Sequence, residues 1–142
     1  MRRINYLVIH CSATRVDKDF PVEALRRCHV LQNHWSDIGY HFYITKDGRI
    51  YPCRPTSKSG AHVKGHNFDS IGICYEGGLD PHGNPADTRT ALQKASMAEL
   101  LKKLHALYPE AKILGHRDFP NVKKACPCFD VKQWLQDIHF PM

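Results

Sequence analysis

No apolar run in this chain is long enough to span a bilayer, so membrane insertion is not expected. There is no block of five or more like charges, no internal repeat and no low-complexity linker. Disordered tails and tandem arrays are thereby excluded. An RNP-type motif, zinc-finger spacing and a basic helix are also missing, so no nucleic-acid partner is expected. The first ten residues, Met1 to His10, open with two arginines, but Asn5 interrupts their apolar stretch and no small-residue cleavage site follows. They read as a first strand and not as a signal peptide, which predicts a protein that is cytoplasmic at synthesis.

What is present fits one ordinary domain over residues 1–142. The chain is long enough, and at 42% hydrophobic residues apolar enough, to bury a core without disulfide staples. The net charge of +6 suits an acidic substrate and specifies nothing further. Six cysteines are an even number, yet the missing signal segment argues against a disulfide framework. Cys28, Cys53 and Cys74 fall in apolar-periodic segments and are expected as buried free thiols.

Strands and helices alternate along the sequence. Tyr6–His10 reads as a buried strand. Pro21 opens a helix whose stripe is Val22, Leu25, Cys28, His29, Gln32 and Trp35. His41–Thr45 and Arg49–Cys53 flank an Asp-Gly turn and predict a hairpin. Ser70–Glu76 is a further strand, and residues 79–87 are rich in turn dipeptides. Thr90 and Gln93 form a capping box ahead of a long helix with the stripe Met97, Leu100, Leu101, Leu104, Leu107 and Tyr108, which Pro109 ends. Lys112–Gly115 is a short strand, and a last helix runs from Asp130 to about His139. The expected fold is α/β: a single domain with a central mixed β-sheet flanked by helices.

Ten histidines prove little by number, but two are placed where sheet folds put ligands. His10 ends the first strand and leads into Cys11-Ser12-Ala13-Thr14, while His116 follows a later strand in Gly115-His116-Arg117-Asp118. Cys126 and Cys128 lie in the loop Lys124-Ala125-Cys126-Pro127-Cys128. Two histidines and one cysteine make a three-ligand zinc site with one open position. A Cys-x-Cys pair equally fits a structural or redox role.

Four segments in order resemble the motifs of the phage-lysozyme-type N-acetylmuramoyl-L-alanine amidases, which share a fold with the peptidoglycan recognition proteins. They are Val8-Ile9-His10-Cys11-Ser12-Ala13-Thr14; Gly39-Tyr40-His41-Phe42 with Lys46-Asp47-Gly48-Arg49-Ile50; Gly60-Ala61-His62-Val63-Lys64-Gly65-His66-Asn67 with Ser70-Ile71-Gly72-Ile73-Cys74; and Gly115-His116-Arg117-Asp118 with Lys124-Ala125-Cys126-Pro127-Cys128-Phe129-Asp130. The resemblance runs from residue 6 to the end. It implies one Zn2+ held by His10, His116 and Cys126, with Tyr40 and Lys124 as catalytic residues beside the open position. Those two would stabilise charge on the carbonyl oxygen, each worth about 3 kcal/mol. It places His62 in a substrate-lining loop. The implied reaction cleaves the amide between the lactyl group of N-acetylmuramic acid and L-alanine, with peptidoglycan or muropeptides as partner. A monomer acting on the cell wall after release or export is expected. The competing reading is a binding module without catalysis.

Departures from the family pattern are few. The loop between His116 and Cys126 is somewhat longer, and Cys128 stands where a serine is common, which makes it a second candidate ligand. The Lys-Ala-Cys-Pro context favours Cys126. Cys11, next to His10 on a strand, is expected to face the core. Tyr40 rather than His41 is expected to face the cleft, and Arg117 and Asp118 are candidates for orienting His116.

Overall fold

The computed structural model describes residues 2–34, 37–120 and 122–141. Strand β1 (Tyr6–Cys11) lies inside a five-stranded sheet, flanked in parallel by β5 (Ser70–Tyr75) and β7 (Lys112–Gly115). Beyond β5 come β3 (Phe42–Ile44), also parallel, and β4 (Ile50–Pro52), antiparallel to β3. The order is β4-β3-β5-β1-β7. Two short strands, β2 (Thr14–Arg15) and β6 (Gly78–Leu79), form a separate parallel ladder. Sequence patterning missed this pair because two residues carry no period.

Alternation along the strands sorts the two faces. Leu7, Ile9, Cys11, Ile71, Ile73 and Tyr75 join the main core with Met97, Leu100, Leu101 and Leu104 of α2 (Ala91–Leu107) and Val131, Trp134 and Leu135 of α3 (Val131–Asp137). The opposite face carries Val8 against Val63 and Phe119, and Tyr43 and Cys74 against Leu25 and Ile38. His10 belongs to this second face, because its neighbours Ile9 and Cys11 both point to the first.

The expected capping box is present: Thr90 Oγ1 accepts the Gln93 N–H at 3.0 Å and Gln93 accepts the Thr90 N–H at 2.9 Å. Gln93 is itself buried and donates to the carbonyls of Ile44 and Glu76, binding α2 to two strand ends. In the stripe, Leu107 is a correction: it is 71% exposed, since it falls at the rim of the face on which Leu104 and Tyr108 meet the core. The hairpin turn closes at Gly48, whose φ of +85° suits glycine. Asp130 caps α3 through the Gln133 N–H.

The helix after Pro21 is α1 (Val22–Arg26), which widens into a π-helical segment, Arg27–Gln32. Leu25 and His29 of its stripe are buried, whereas Trp35 lies outside the described residues. Cys74 is buried as expected; Cys28 and Cys53 are only half-buried, and among the described residues all six thiols are free. No described helix is long and apolar enough to cross a membrane.

Candidate metal centre and active site

His10 is 1% exposed, near the C-terminal end of β1. β7 delivers His116 beside it: the strand ends at Gly115 and turns at once into the 3-10 segment His116–Asp118. The Asp118 carboxylate shapes that turn by accepting the Gly115 N–H at 2.8 Å. The two imidazole centroids are 4.6 Å apart.

The third group comes from the loop ahead of α3. The Arg117 N–H donates to the Cys126 carbonyl at 2.9 Å, and the Tyr75 hydroxyl donates to the Pro127 carbonyl at 2.6 Å. These bonds seat the Cys126 sulfur 3.8 Å from Nδ1 of His10. One donor atom each from His10, His116 and Cys126 lies within 4.8 Å of the others. Tetrahedral zinc with ordinary Zn–N and Zn–S bonds needs ligand atoms roughly 3.3–3.8 Å apart, so small adjustments close the set.

The protonation states fit a metal as well. Burial, followed by the charges of His62, His116 and Lys124, holds His10 well below the usual imidazole range. Burial and Lys124 lower His116. Both rings therefore offer a lone pair at neutral pH. Hydrogen bonds from Cys11 hold the Cys126 thiol below its usual value against the opposing effect of burial. Cys128 differs: its hydrogen bond with Cys11 and its burial push its thiol up. Its sulfur lies 3.8 Å from that of Cys11, outside the set of three. Cys11 is buried as expected, while its backbone N–H reaches back to the Cys126 sulfur.

Tyr40 stands beside the donors, its ring centroid 5.0 Å from that of His10 and 5.4 Å from that of His29. Burial and then the neighbouring Cys74 raise its phenol well above the usual value, so the hydroxyl keeps its proton. His41 is fully buried and structural: Nδ1 accepts the Gly72 N–H at 3.0 Å and Nε2 faces the Lys58 carbonyl at 2.8 Å. Lys124 is exposed, and its charge is felt at His10, His116 and Cys126. Among the contacts that shape the turn, Arg117 acts through its backbone and Asp118 through Gly115, so neither is seen to hold the His116 ring.

His62 sits behind His10. Its Nδ1 lies 2.8 Å from Nε2 of His10, and its Nε2 lies 3.1 Å from Oγ of Ser70. Both ring nitrogens are thus engaged inside the protein. Ser70 was not singled out from sequence; the nearby Gly72, a glycine inside a strand, was the available signal of a close approach.

A cleft of about 500 Å³ lined by Lys64, His66, His116, Phe119 and Pro120 opens onto the site. A larger apolar groove of about 620 Å³ runs along β7 and α3 but contains none of the three donors.

Residues 1–129 match the family described as N-acetylmuramoyl-L-alanine amidase. The chain belongs to that family. This amidase is 41% identical to the endolysin of Enterobacteria phage K11 over 128 residues, which cover 90% of this chain and 83% of the phage protein. Among solved structures it is similar to the N-acetylmuramoyl-L-alanine amidase LysC from Clostridium intestinale URNW. That match has a TM-score of 0.80 at 29% identity and covers 99% of this chain and 88% of the other. Peptidoglycan recognition protein LB of Drosophila aligns with a TM-score of 0.77 at 26% identity, over 99% of this chain and 85% of its own. The amidase thus shares the recognition-protein fold.

Proposed function

We propose that this amidase is zinc-dependent and hydrolyses the amide between the lactyl group of N-acetylmuramic acid and L-alanine of the peptidoglycan stem peptide. The observation that carries the reading is the convergence of His10, His116 and Cys126, of which His116 also lines the adjoining cleft. Zinc held by these three, when bound, supplies Lewis acidity toward the amide carbonyl and toward water.

The chain's own groups do the rest. His66, Lys64 and Phe119 form the walls along which a peptide lies. Tyr40, whose proton is held in place by burial, donates it in a hydrogen bond to the carbonyl oxygen as charge grows there. Lys124, exposed to solvent, adds positive charge and carries a proton to the leaving nitrogen. The complete donor set supports catalysis over a role in binding alone. Its endolysin relatives support action on the cell wall after release; the working form is a monomer.

The test pairs metal analysis with digestion of purified peptidoglycan, followed by mass. One zinc per chain and release of stem peptides with a free L-alanine amine are expected. Bound zinc without cleavage would favour the recognition module. Cleavage undiminished in zinc-free protein would overturn the metal dependence.

A further inference from the structure

Behind the metal-facing side of His10 the fold builds a slot for one imidazole. A β-carbon at Gly72 would lie 2.8 Å from Cγ of His62, and one at Gly60 would lie 2.7 Å from its Cδ2. Real β-carbons do not approach that closely, so the His62 ring is seated against two stretches of bare backbone.

The proton positions in this slot follow from chemistry. The Ser70 hydroxyl lies 2.6 Å from the His66 carbonyl, which can only accept, so its single proton is committed there. Ser70 Oγ therefore accepts from Nε2–H of His62. The ring is pressed between the bare backbone at Gly60 and Gly72, which strips water from a charged form, so it stays neutral and its Nδ1 carries a lone pair. Only Nε2–H of His10 is there to donate to it, across 2.8 Å. The remaining lone pair of His10 is then on Nδ1, the atom 3.8 Å from the Cys126 sulfur.

We propose that His62 is a positioning residue: through a relay running from His10 to His62 to Ser70 to the His66 carbonyl, it fixes His10 as the Nε2–H tautomer, with Nδ1 presented to the metal. The role rests on the zinc reading above. It replaces the substrate contact expected of His62 and assigns Ser70 a part in the site. Outer-shell partners of this kind fix both ring orientation and the donor atom of a metal-binding histidine.

The test uses the full-length protein with His62→Ala, His62→Gln and Ser70→Ala. The glutamine amide can accept from His10 through its oxygen and donate to Ser70 through its nitrogen. Imidazole 15N shifts of the zinc-free wild type should show His10 protonated on Nε2, and His62→Ala should lose that preference. Zinc affinity should fall roughly 10–100-fold in His62→Ala, less in Ser70→Ala, and return to within several-fold of wild type in His62→Gln. A His62→Ala variant with unchanged tautomer and zinc affinity but raised KM would overturn the proposal in favour of a substrate contact. So would a His10 protonated on Nδ1 in the wild type. A wild type that binds no zinc would sink the metal reading itself, whatever the variants did.

Discussion

The backbone N–H of Cys11 points at the sulfur of Cys126 across 3.3 Å, while the Cys11 thiol lies 3.8 Å from the sulfur of Cys128. One residue thus supports a thiolate at Cys126 and packs against a protonated thiol at Cys128. Cys126→Ser should therefore lose stoichiometric zinc and more than roughly 100-fold of turnover, exceeding the effect of any outer-shell change. Cys128→Ser should keep both. Zinc titration with a coloured chelator separates the two, and the reverse result would move the ligand to Cys128.

Tyr40 and Lys124, proposed above to act on the carbonyl oxygen and the leaving nitrogen, are not among the converging metal donors. Tyr40→Phe and Lys124→Ala should each lower kcat on a defined muropeptide by roughly 100-fold, the effect of one lost donor to a developing oxyanion. Zinc content should not change in either variant. Loss of metal from Tyr40→Phe would make the phenol a structural group instead.

Acid should weaken the zinc-free fold earlier than carboxylates alone would. Burial pushes His41 down to about 4 and His62 to about 3, and it lowers His10 and His116 in the same sense. Between these values and the unfolded value near 6.5, the unfolded chain binds more protons. Stability is thus full above about pH 6.5 and falls as pH drops toward 4, at up to about 1.4 kcal/mol per unit for each of His41 and His62, with His10 and His116 adding in the same direction. Urea midpoints at about pH 7 and pH 5 measure this. His41→Asn should shrink the difference, and a flat profile would contradict the burial of these rings.

Arg89 is buried and lies flat 3.4 Å above the Phe129 ring, 4.6 Å from that of Trp134, with two hydrogen bonds to Asp87. Arg89→Ala should cost about 2–4 kcal/mol, from the lost stack and the stranded carboxylate. Arg89→Lys, which keeps only the charge, should fall between. Phe129 also packs against Tyr75, which holds Pro127, so zinc affinity should weaken along with Tm. Thermal melts with and without zinc would show whether the two move together.

Much of this arrangement was legible before any coordinates. β1, the Asp-Gly hairpin, β5, β7, the capped α2 and α3 follow from period and turn chemistry. His10 and His116 stood out because each followed a strand. What stayed hidden depends on contacts between distant segments. Gln93 gives no sign in sequence that it will be buried between Ile44 and Glu76. The π-helical segment after α1 keeps the apolar spacing of an ordinary helix. His62 was assigned by its loop to the groove, and only the glycines at 60 and 72 decide where its ring goes. Leu107 fits the apolar spacing, but it falls at the rim of the stripe while Tyr108 after it still packs on the core.

The place of β1 between β5 and β7 also sets the order in which function can arise. β1 is made early, yet its neighbours are β5 and β7, and His10 meets Cys126 only across 116 residues of chain. Pairings this remote form late and slowly. A ribosome that has released His10, Tyr40 and His62 has released no hydrolase. Until the segment holding Cys126 emerges and docks, the three donor atoms that converge in the finished fold are not yet together.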